Sequence, residues 1–299
     1  MLAEELLAVM CCPVCGGTPL DLVVDRLADE TIAEGSLGCP GCKRWYHVFD
    51  DIPSLMPQQL ASSLKAADES WTKWRLAMGE FLSWRDEAWA DPEQARQRRE
   101  NAAAMHGRFL QFCELPASRH LCLDIGAGTG HLADLLAAEC VYIGIDPLPG
   151  GRNPDRSEGP QHLPRPARPV SLVQGVAEEL PFIDDAFDVA LIVGSLDHCN
   201  DPERALAEAC RVLKLGGTLG VLLGVAEARP EGGIGAALRS LAAALSGGSK
   251  PDVRPTHTFS FTREQLQELV GRHFQVDAVT EESGRAFIRA TVGPDVAAQ

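Results

Sequence analysis

Four cysteines in two closely spaced pairs carry the first chemistry that the sequence suggests. The pairs stand in CPVC and CPGC, with 23 residues between them, and comprise Cys12, Cys15, Cys39 and Cys42. Two sulfurs of a Cys-x-x-Cys unit can converge on one cation, and four thiolates in a tetrahedral array suit Zn²⁺. In a reducing compartment such units indicate a metal site before a disulfide. The sequence therefore predicts a structural zinc ribbon.

The predicted ribbon occupies residues 1–57, a unit too small to bury a large core of its own. A bound ion would supply part of its folding free energy. A site closed by four thiolates leaves no position for catalysis at the metal. His47 is an alternative ligand, although its place in WYHVF favours a strand. A redox dithiol is the remaining alternative for the cysteine pairs.

A glycine-rich turn supplies the second candidate site. In LCLDIGAGTGHLADLL an apolar strand is followed by a G-x-G-x-G turn and then by a helical pattern, whereas a dinucleotide fingerprint would read G-x-G-x-x-G. Glycine lets the backbone approach a ligand closely, and the N–H groups of a following helix favour a carboxylate. An aspartate just before the turn can hold an ammonium group. The predicted cofactor-binding residues of this segment are Asp124, Gly126, Ala127, Gly128 and Gly130.

A second carboxylate follows the next apolar run. VYIGID ends in Asp146, which would accept hydrogen bonds from both hydroxyls of a ribose. A glycine turn alone is weak support for any ligand, but a turn with an acid at the end of the following strand is a stronger pattern. Together the turn and the two acids fit S-adenosylmethionine (SAM), which carries an ammonium, a carboxylate and a ribose.

Alternating apolar runs and helical patterns place this candidate site within an α/β organisation. From residue 121 onward the pattern predicts a doubly wound sheet whose last two strands are close enough to form a hairpin. The predicted strands lie near 120–125, 141–145, 170–174, 187–193, 217–225, 274–280 and 285–292. The predicted helices lie near 129–139, 202–213 and 262–271. The last of them begins with Thr262 and Gln265 spaced for a capping box.

Three parts are predicted along the chain: the ribbon over 1–57, a helical linker or lid over 58–117, and the α/β domain over 118–299. The middle part holds four of the five tryptophans, partly at helical spacing, namely Trp71, Trp74, Trp84 and Trp89. Such a stripe usually packs into a core, and the alternative is a lid that covers a substrate. The cations of RQRR at 96–99 are expected on a solvated helix face, or else against an anionic acceptor.

The composition limits the partners. The chain of 299 residues is 45% hydrophobic and 23% charged, as expected of a soluble globular protein, and no apolar run is long enough for a membrane span. The N-terminus MLAEELLAVM has two glutamates and no basic residue, unlike a secretory signal, so a cytoplasmic location is predicted. The net charge of −15 disfavours nucleic acid as a partner without excluding it.

The α/β part resembles a known family. The segment GVAEELPFIDDAFDVALIVGSLDHCNDPERALAEACRVLKLGGTLGVLL, with the glycine turn and its two acids, closely resembles the class I SAM-dependent methyltransferases of the small-molecule type, over about 118–292. The resemblance implies a Rossmann-like seven-stranded sheet, SAM as the cofactor, and an adenine bordered by GVAEELPF. That family often has an aspartate at the position of Val176. Since valine cannot accept a hydrogen bond, the backbone at Ala177 or the carboxylate of Glu178 would substitute.

The ribbon resembles a second family. LLAVMCCPVCGGTPLDL and LGCPGCKRWYHVFDDIPSLMP are similar to the small zinc-ribbon proteins that activate RNA and protein methyltransferases in trans, over residues 6–57. In those proteins the ribbon supports a partner enzyme and does not catalyse. Fusion in cis implies a structural or substrate-docking role here.

Three residues are candidates for the chemistry of methyl transfer. A general base is needed only where the acceptor must lose a proton. His198 and Asp197, in SLDHCNDP, follow the fourth strand at the edge where open α/β sheets bind ligands, and His257 precedes a late helix. His106 and His131 are expected to be solvated or structural.

The favoured function is methyl transfer from SAM to an O, N or C atom of a small or medium-sized metabolite. A second hypothesis is an rRNA or tRNA base methyltransferase that uses the ribbon to dock RNA. Against it, residues 1–60 carry a net charge of −6, and the strand end reads GSLDH in place of an Asn-Pro-Pro-Tyr type motif. Methyl transfer to a protein or a glycan, and SAM binding without catalysis, are the third and fourth hypotheses. The acceptor atom and the oligomeric state are left open.

Overall fold

The computed structural model describes residues 2–56, 78–79, 90–149, 166–226 and 258–294. Within these ranges no helix is both long enough and apolar enough to cross a membrane. The four tryptophans of the predicted linker or lid, and the candidate base His257, lie outside the described residues.

The N-terminal unit is a short helix and a small antiparallel sheet. Helix α1, Glu4–Val9, buries Leu6 and Val9. The sheet has the order β1-β2-β3-β4, and its strands are Asp21–Ala28, Thr31–Gly38, Trp45–Phe49 and Ile52–Pro53. The cysteine pairs lie in the two loops that precede β1 and β3. This arrangement agrees with the predicted ribbon and places His47 on β3, as its sequence context favoured.

The remaining strands form one mixed sheet of seven. In chain order they are β5 to β11, at His120–Ile125, Cys140–Asp146, Ser171–Gln174, Phe187–Val193, Leu213–Gly224, Gln275–Glu282 and Arg285–Thr291. The order across the sheet is β10-β11-β9-β8-β5-β6-β7. β5 to β9 pair in parallel, whereas β11 runs antiparallel to β9 and β10. The predicted seven strands and terminal hairpin are confirmed.

Three longer helices pack on this sheet: α2, Pro92–Cys113; α3, Pro202–Val212; and α4, Arg263–Gly271. The last two confirm the predicted helices near 202–213 and 262–271. The capping box is also present, since the Thr262 side chain accepts from Gln265 N and the Gln265 side chain accepts from Thr262 N.

The predicted helix over 129–139 is wrong. Only a 3₁₀ helix forms there, His131–Leu135, followed by extended backbone at Leu136. The Asp134 carboxylate accepts hydrogen bonds from the backbone of Ala167 and Arg168. This tertiary contact, and the nearby start of β6, end the helix early although its residues favour one.

Helix α2 lies close against the sheet. The ring of Phe109 meets that of Phe287 on β11 edge-on, with centroids 5.7 Å apart. A Cβ on Gly220 of β9 would lie 2.7 Å from Cys113 Sγ, so the helix can approach only because that strand position has no side chain. On the outer face, Arg96 pairs with Glu93 and Glu100 on the same helix. The solvated face expected for RQRR is therefore observed.

The ribbon packs directly on the edge of the larger sheet. Leu55 N donates to Gln174 O of β7 at 2.8 Å, and Ser54 forms a parallel bridge with Gln174. Farther along, Cys11 N donates to Pro181 O at 2.9 Å, and Met10 pairs with Phe182. Buried residues of both units form one continuous hydrophobic cluster. The ribbon therefore covers the β7 edge of the larger sheet and shares its core.

Candidate functional site

The two cysteine loops bring four sulfur atoms together. The Sγ atoms of Cys12, Cys15, Cys39 and Cys42 all lie within 4.8 Å of one another. The loops close tightly, because a Cβ on Gly17 would lie 2.9 Å from Cys39 Sγ. Among the described residues, no group of three or more potential metal ligands forms elsewhere, and His47 is not part of this one. Four thiolates at this spacing suit a tetrahedral ion with no open position.

The glycine turn follows β5 as the sequence predicted. Gly126, Gly128 and Gly130 all have positive φ, at 82°, 56° and 81°. The backbone N–H groups of Gly126 and Ala127 both donate to Ile145 O, at 2.8 and 3.1 Å. The turn is thus bonded to β6, the neighbouring strand.

Gly126 is also pressed against another strand end. Its ideal Cβ would lie 2.2 Å from Ser195 Cβ, and Ser195 is held in place because its Oγ donates to Ile125 O at 2.6 Å. Gly128 has a positive φ as well, yet nothing lies within 4 Å of its Cβ position. A comparison of substitutions at the two glycines can therefore separate the cost of backbone strain from the cost of a steric clash.

A Gly126→Ala substitution is expected to cost far more stability than Gly128→Ala. Alanine at either position suffers left-handed strain of about 1–2 kcal/mol. Only at Gly126 does overpacking add about 1–3 kcal/mol. Chemical denaturation of the two variants measures the difference in the free energy of unfolding. Equal losses of unfolding free energy in the two variants would show that Ser195 moves aside readily and that its contact with position 126 does not require glycine.

Asp124 is a buried carboxylate with one oxygen that has no hydrogen-bond partner among the described residues. Its side chain is 1% exposed, and Oδ2 accepts a hydrogen bond of 2.6 Å from the Tyr142 hydroxyl. Oδ1 has no hydrogen-bond partner among the described residues. Burial raises the pKa of Asp124 to about 7 against the effect of the Tyr142 hydrogen bond, and the nearby Asp146 raises it further. Such an oxygen would gain most from a cationic donor.

Asp146 connects the turn to the end of β6. Its Oδ2 accepts from Gly128 N at 2.8 Å, and its Oδ1 accepts from Leu148 N at 2.7 Å. Each carboxylate oxygen has a further lone pair. The residue therefore fixes the glycine turn and can still accept hydrogen bonds from a ligand.

A cavity of about 190 Å³ opens beside Asp124. Its walls come from the glycine turn, α2, and the ends of β8, β9 and β11. The lining residues are His106, Asp124, Gly126, Ala127, His131, Leu132, Val193, Gly194, Leu222, Gly224 and Arg285.

Two of these lining residues were expected to be merely solvated or structural. His131 follows the glycine turn directly, which was a usable signal for a place beside the cavity. His106 had no such signal, because its position depends on how α2 packs across the sheet.

The segment predicted to border the adenine carries Val176 and Glu178. Val176 is buried. The Glu178 carboxylate accepts from the backbone of Asn200 at 2.6 Å and Asp201 at 3.1 Å, and burial raises the pKa of Glu178. Glu178 therefore anchors the loop before α3, and Ala177 is half-buried.

The candidate catalytic residues Asp197 and His198 lie on a 3₁₀ turn, Leu196–His198, after β8. Neither lines the cavity beside Asp124. Asp197 O accepts from the backbone of Thr258 and Phe259 at 2.9 and 3.0 Å. The chain just after His257 therefore returns to this turn.

The seven-stranded mixed sheet, the glycine turn after β5 and the acid at the end of β6 define a Rossmann-like domain of the class I methyltransferase type. Residues 123–221 match the family described as "Methyltransferase domain", and residues 4–51 match the family described as "Trm112p-like protein". Two separate stretches of the chain thus match a methyltransferase domain and, before it, a Trm112p-like domain.

Similar proteins include further methyltransferases. An uncharacterized methyltransferase of Mycobacterium tuberculosis is 38% identical over 109 residues, which are 36% of this chain and 41% of that protein. A malonyl-acyl carrier protein O-methyltransferase of Methylococcus capsulatus is 37% identical over 106 residues, or 32% and 34% of the two chains. The chain therefore spans about two fifths or less of the length of these relatives.

One solved structure can be compared over a larger span. A SAM-dependent methyltransferase of Thermotoga maritima, described as a possible histamine N-methyltransferase, is 25% identical. The match covers 72% of this chain and 99% of that one, with a TM-score of 0.47.

Proposed function

We propose that this protein transfers a methyl group from SAM to an O, N or C atom of a small or medium-sized metabolite. The observation that carries the proposal is Asp124 Oδ1, which has no hydrogen-bond partner among the described residues and belongs to a residue in the wall of a cavity beside a glycine turn. A buried carboxylate oxygen without a donor is costly, and an ammonium ligand would remove that cost.

The residues around the turn fit the cofactor in charge and shape. Asp124 would hold the ammonium of the methionine end, and Arg285, which lines the same cavity, carries the charge that complements its carboxylate. The glycine turn permits close approach of the backbone. Asp146 would accept from the ribose hydroxyls, and the backbone at Ala177 would border the adenine. Bound SAM supplies an activated methyl group on a sulfonium, while the protein aligns the acceptor and excludes water.

The cysteine cluster would hold a structural zinc ion. All four ligands come from the ribbon, so the ion would brace the unit without taking part in methyl transfer. The ribbon in turn contacts β7, which precedes the proposed adenine border, and Pro181, which lies within it. A bracing role for the ribbon follows from this contact.

The charge of the ribbon favours a small acceptor over RNA. Residues 1–60 carry a net charge of −6, and Arg26 is already paired with Glu34 at 2.7 Å. Phosphate binding depends on available cations. The turn with Asp197 and His198, which lies outside the cavity beside Asp124, would border the part of the acceptor away from the reacting atom, together with the segment that carries His257. The named relatives include an enzyme that methylates oxygen on malonyl-acyl carrier protein, which is consistent with an acceptor that is not a nucleic acid.

Labelled SAM and a fractionated cell extract test the proposed function. The metal-loaded protein is incubated with each fraction, and the label is followed into low-mass material, protein and RNA. Label in low-mass material supports the proposal. Label that ribonuclease releases would overturn the proposal in favour of RNA methylation. Label in protein would overturn it in favour of a protein acceptor. Tight SAM binding without any transfer would indicate a non-catalytic module.

Asp146→Ala is expected to weaken SAM binding at least tenfold, or about 1.4 kcal/mol, because charge-assisted hydrogen bonds to the ribose are lost. Titration calorimetry with SAM measures the change. Asp277→Ala, on β10, is the control for removal of a carboxylate elsewhere. An unchanged affinity in Asp146→Ala would refute the placement of the ribose.

A further inference from the structure

Two histidines meet at the wall of the cavity. His106 lies on α2, and His131 begins the 3₁₀ helix directly after Gly130. His131 Nε2 and His106 Nδ1 are 3.3 Å apart, and the ring centroids are 5.2 Å apart with an interplanar angle of 38°. Both residues line the cavity that also contains Asp124. The pair is therefore formed by two distant parts of the chain at the proposed site of methyl transfer.

Both rings are held neutral by their surroundings. Burial lowers the pKa of His106 to about 4, and the neighbouring His131 and Arg285 lower it further. Burial also lowers the pKa of His131, against the opposing effect of Asp134. The charged groups facing the pair are thus Arg285, Asp134 and, across the cavity, Asp124.

Hydrogen-bond counting fixes what a neutral pair can offer. Each neutral imidazole has one N–H donor and one nitrogen lone pair. The bond between the rings uses one donor and one lone pair, whichever ring donates. One lone pair and one N–H therefore remain on the outer nitrogens. The pair can take a proton at one end and pass the shared proton across, so that the positive charge spreads over two rings.

We infer that the His106–His131 pair removes the proton from the substrate that receives the methyl group. That substrate is then a compound with an ionisable O–H or N–H at the reacting atom. This inference rests on the proposed function and narrows its substrate class. A solely structural pair would not need to border a cavity, whereas both rings do so beside the carboxylate that would hold the cofactor.

The step balances without a further reactant. A lone pair of the acceptor oxygen or nitrogen forms the bond to the methyl carbon. The carbon–sulfur bond breaks, and its electron pair returns to sulfur, which becomes a neutral thioether. The acceptor proton goes to the outer ring nitrogen of the pair and is later released to water.

Single His106→Gln and His131→Gln variants test this role. With labelled SAM and the low-mass fraction that the wild-type protein methylates, each variant should lose at least about a hundredfold in kcat, as is typical for a general base. The SAM dissociation constant from calorimetry should stay within about twofold. His273→Gln, whose ring does not line the cavity, should retain the wild-type rate. Added imidazole should partly restore the rate of His131→Gly, and the weaker base pyrazole should not.

The outcomes separate the inference from the proposed function. Wild-type rates in both glutamine variants would overturn the base assignment while methyl transfer stands. A parallel loss of SAM affinity would also overturn it, since the pair would then position the cofactor. If the wild-type protein labels no fraction, the proposed function fails and the assignment fails with it. Nitrogen-15 spectra of the wild-type histidine rings need no variant: a charged His106 at pH 6 would contradict the neutral pair.

Discussion

A Cys39→Ser substitution is expected to unfold the ribbon and to destabilise the whole chain. Structural zinc supplies about 10–16 kcal/mol of folding free energy in small zinc peptides, and a serine hydroxyl is a poor replacement for one of four thiolates. In a domain of this size each kcal/mol lost lowers the melting temperature by roughly 2–4 °C. A loss of even half the metal contribution would therefore exceed about 10 °C.

The effect should extend to the proposed cofactor site. Leu55 and Cys11 donate backbone hydrogen bonds to Gln174 and Pro181, which lie just before and within the proposed adenine border. When the ribbon unfolds, these bonds and the shared core are lost together. SAM affinity should consequently fall in Cys39→Ser, and likewise in the wild-type protein treated with a zinc chelator.

Thermal unfolding and SAM calorimetry, each with and without the chelator, measure both effects. Cys210→Ser is the matched control, because Cys210 lies on α3 outside the four-sulfur cluster. An unchanged melting temperature in Cys39→Ser would show that the cluster holds no ion that matters for folding. Destabilisation of the ribbon with unaltered SAM affinity would show that the two units are energetically independent.

Asp124→Asn is expected to change stability and SAM binding in opposite directions. Asparagine keeps an acceptor for the Tyr142 hydroxyl and removes a buried charge. It cannot, however, pair with the ammonium of SAM. Hydrogen bonds to charged groups contribute about 1.5–3 kcal/mol, so SAM affinity should drop by roughly 10-fold to 150-fold. The same substitution should make the cofactor-free protein more stable at neutral and higher pH.

The gain in stability should depend on pH in a defined direction. The folded-state pKa of Asp124 is about 7, well above the ordinary aspartate value of about 3.9. The native state therefore binds the proton more tightly than the unfolded state does. Ionised Asp124 therefore destabilises the folded wild-type protein by up to about 4 kcal/mol above pH 7. This destabilisation vanishes as the pH falls toward 4.

Denaturation of Asp124→Asn and wild type at pH 8 and at pH 4.5 measures this difference. The variant should be the more stable protein at pH 8, and the difference should shrink at pH 4.5. Asp277→Asn, which removes an exposed carboxylate from β10, should show no such pattern. Lower stability of Asp124→Asn at pH 8 would mean that the carboxylate is satisfied within the protein and does not await a ligand.

Much of the fold could be predicted because its signals are local. Most of the seven strands are apolar runs, so β5 with Asp124 and β6 with Asp146 could be located closely. The cysteine spacing was sufficient for the cluster, since two residues between cysteines allow two sulfurs to converge. The cap at Thr262 was likewise visible, because its partner Gln265 is three residues away.

The rest depends on contacts between distant segments. The segment after Gly130 has a helical pattern, but Asp134 bonds to Ala167, a residue that no local pattern connects to it. The histidine pair forms only because α2 crosses the sheet and brings His106 to His131. The attachment of the ribbon at Gln174 is a similar case, since nothing near Ser54 indicates which strand it will meet.

The attachment at Gln174 also determines which edges of the larger sheet are exposed. An unpaired edge strand can recruit a strand from another chain, and proteins commonly block or charge such edges. The edge at β7 is occupied by the protein's own N-terminal unit. The opposite edge is β10, which carries Asp277, Glu281 and Glu282. Among the described residues, one edge is thus covered by the ribbon and the other is charged, so self-association through β10 would be opposed by like charges.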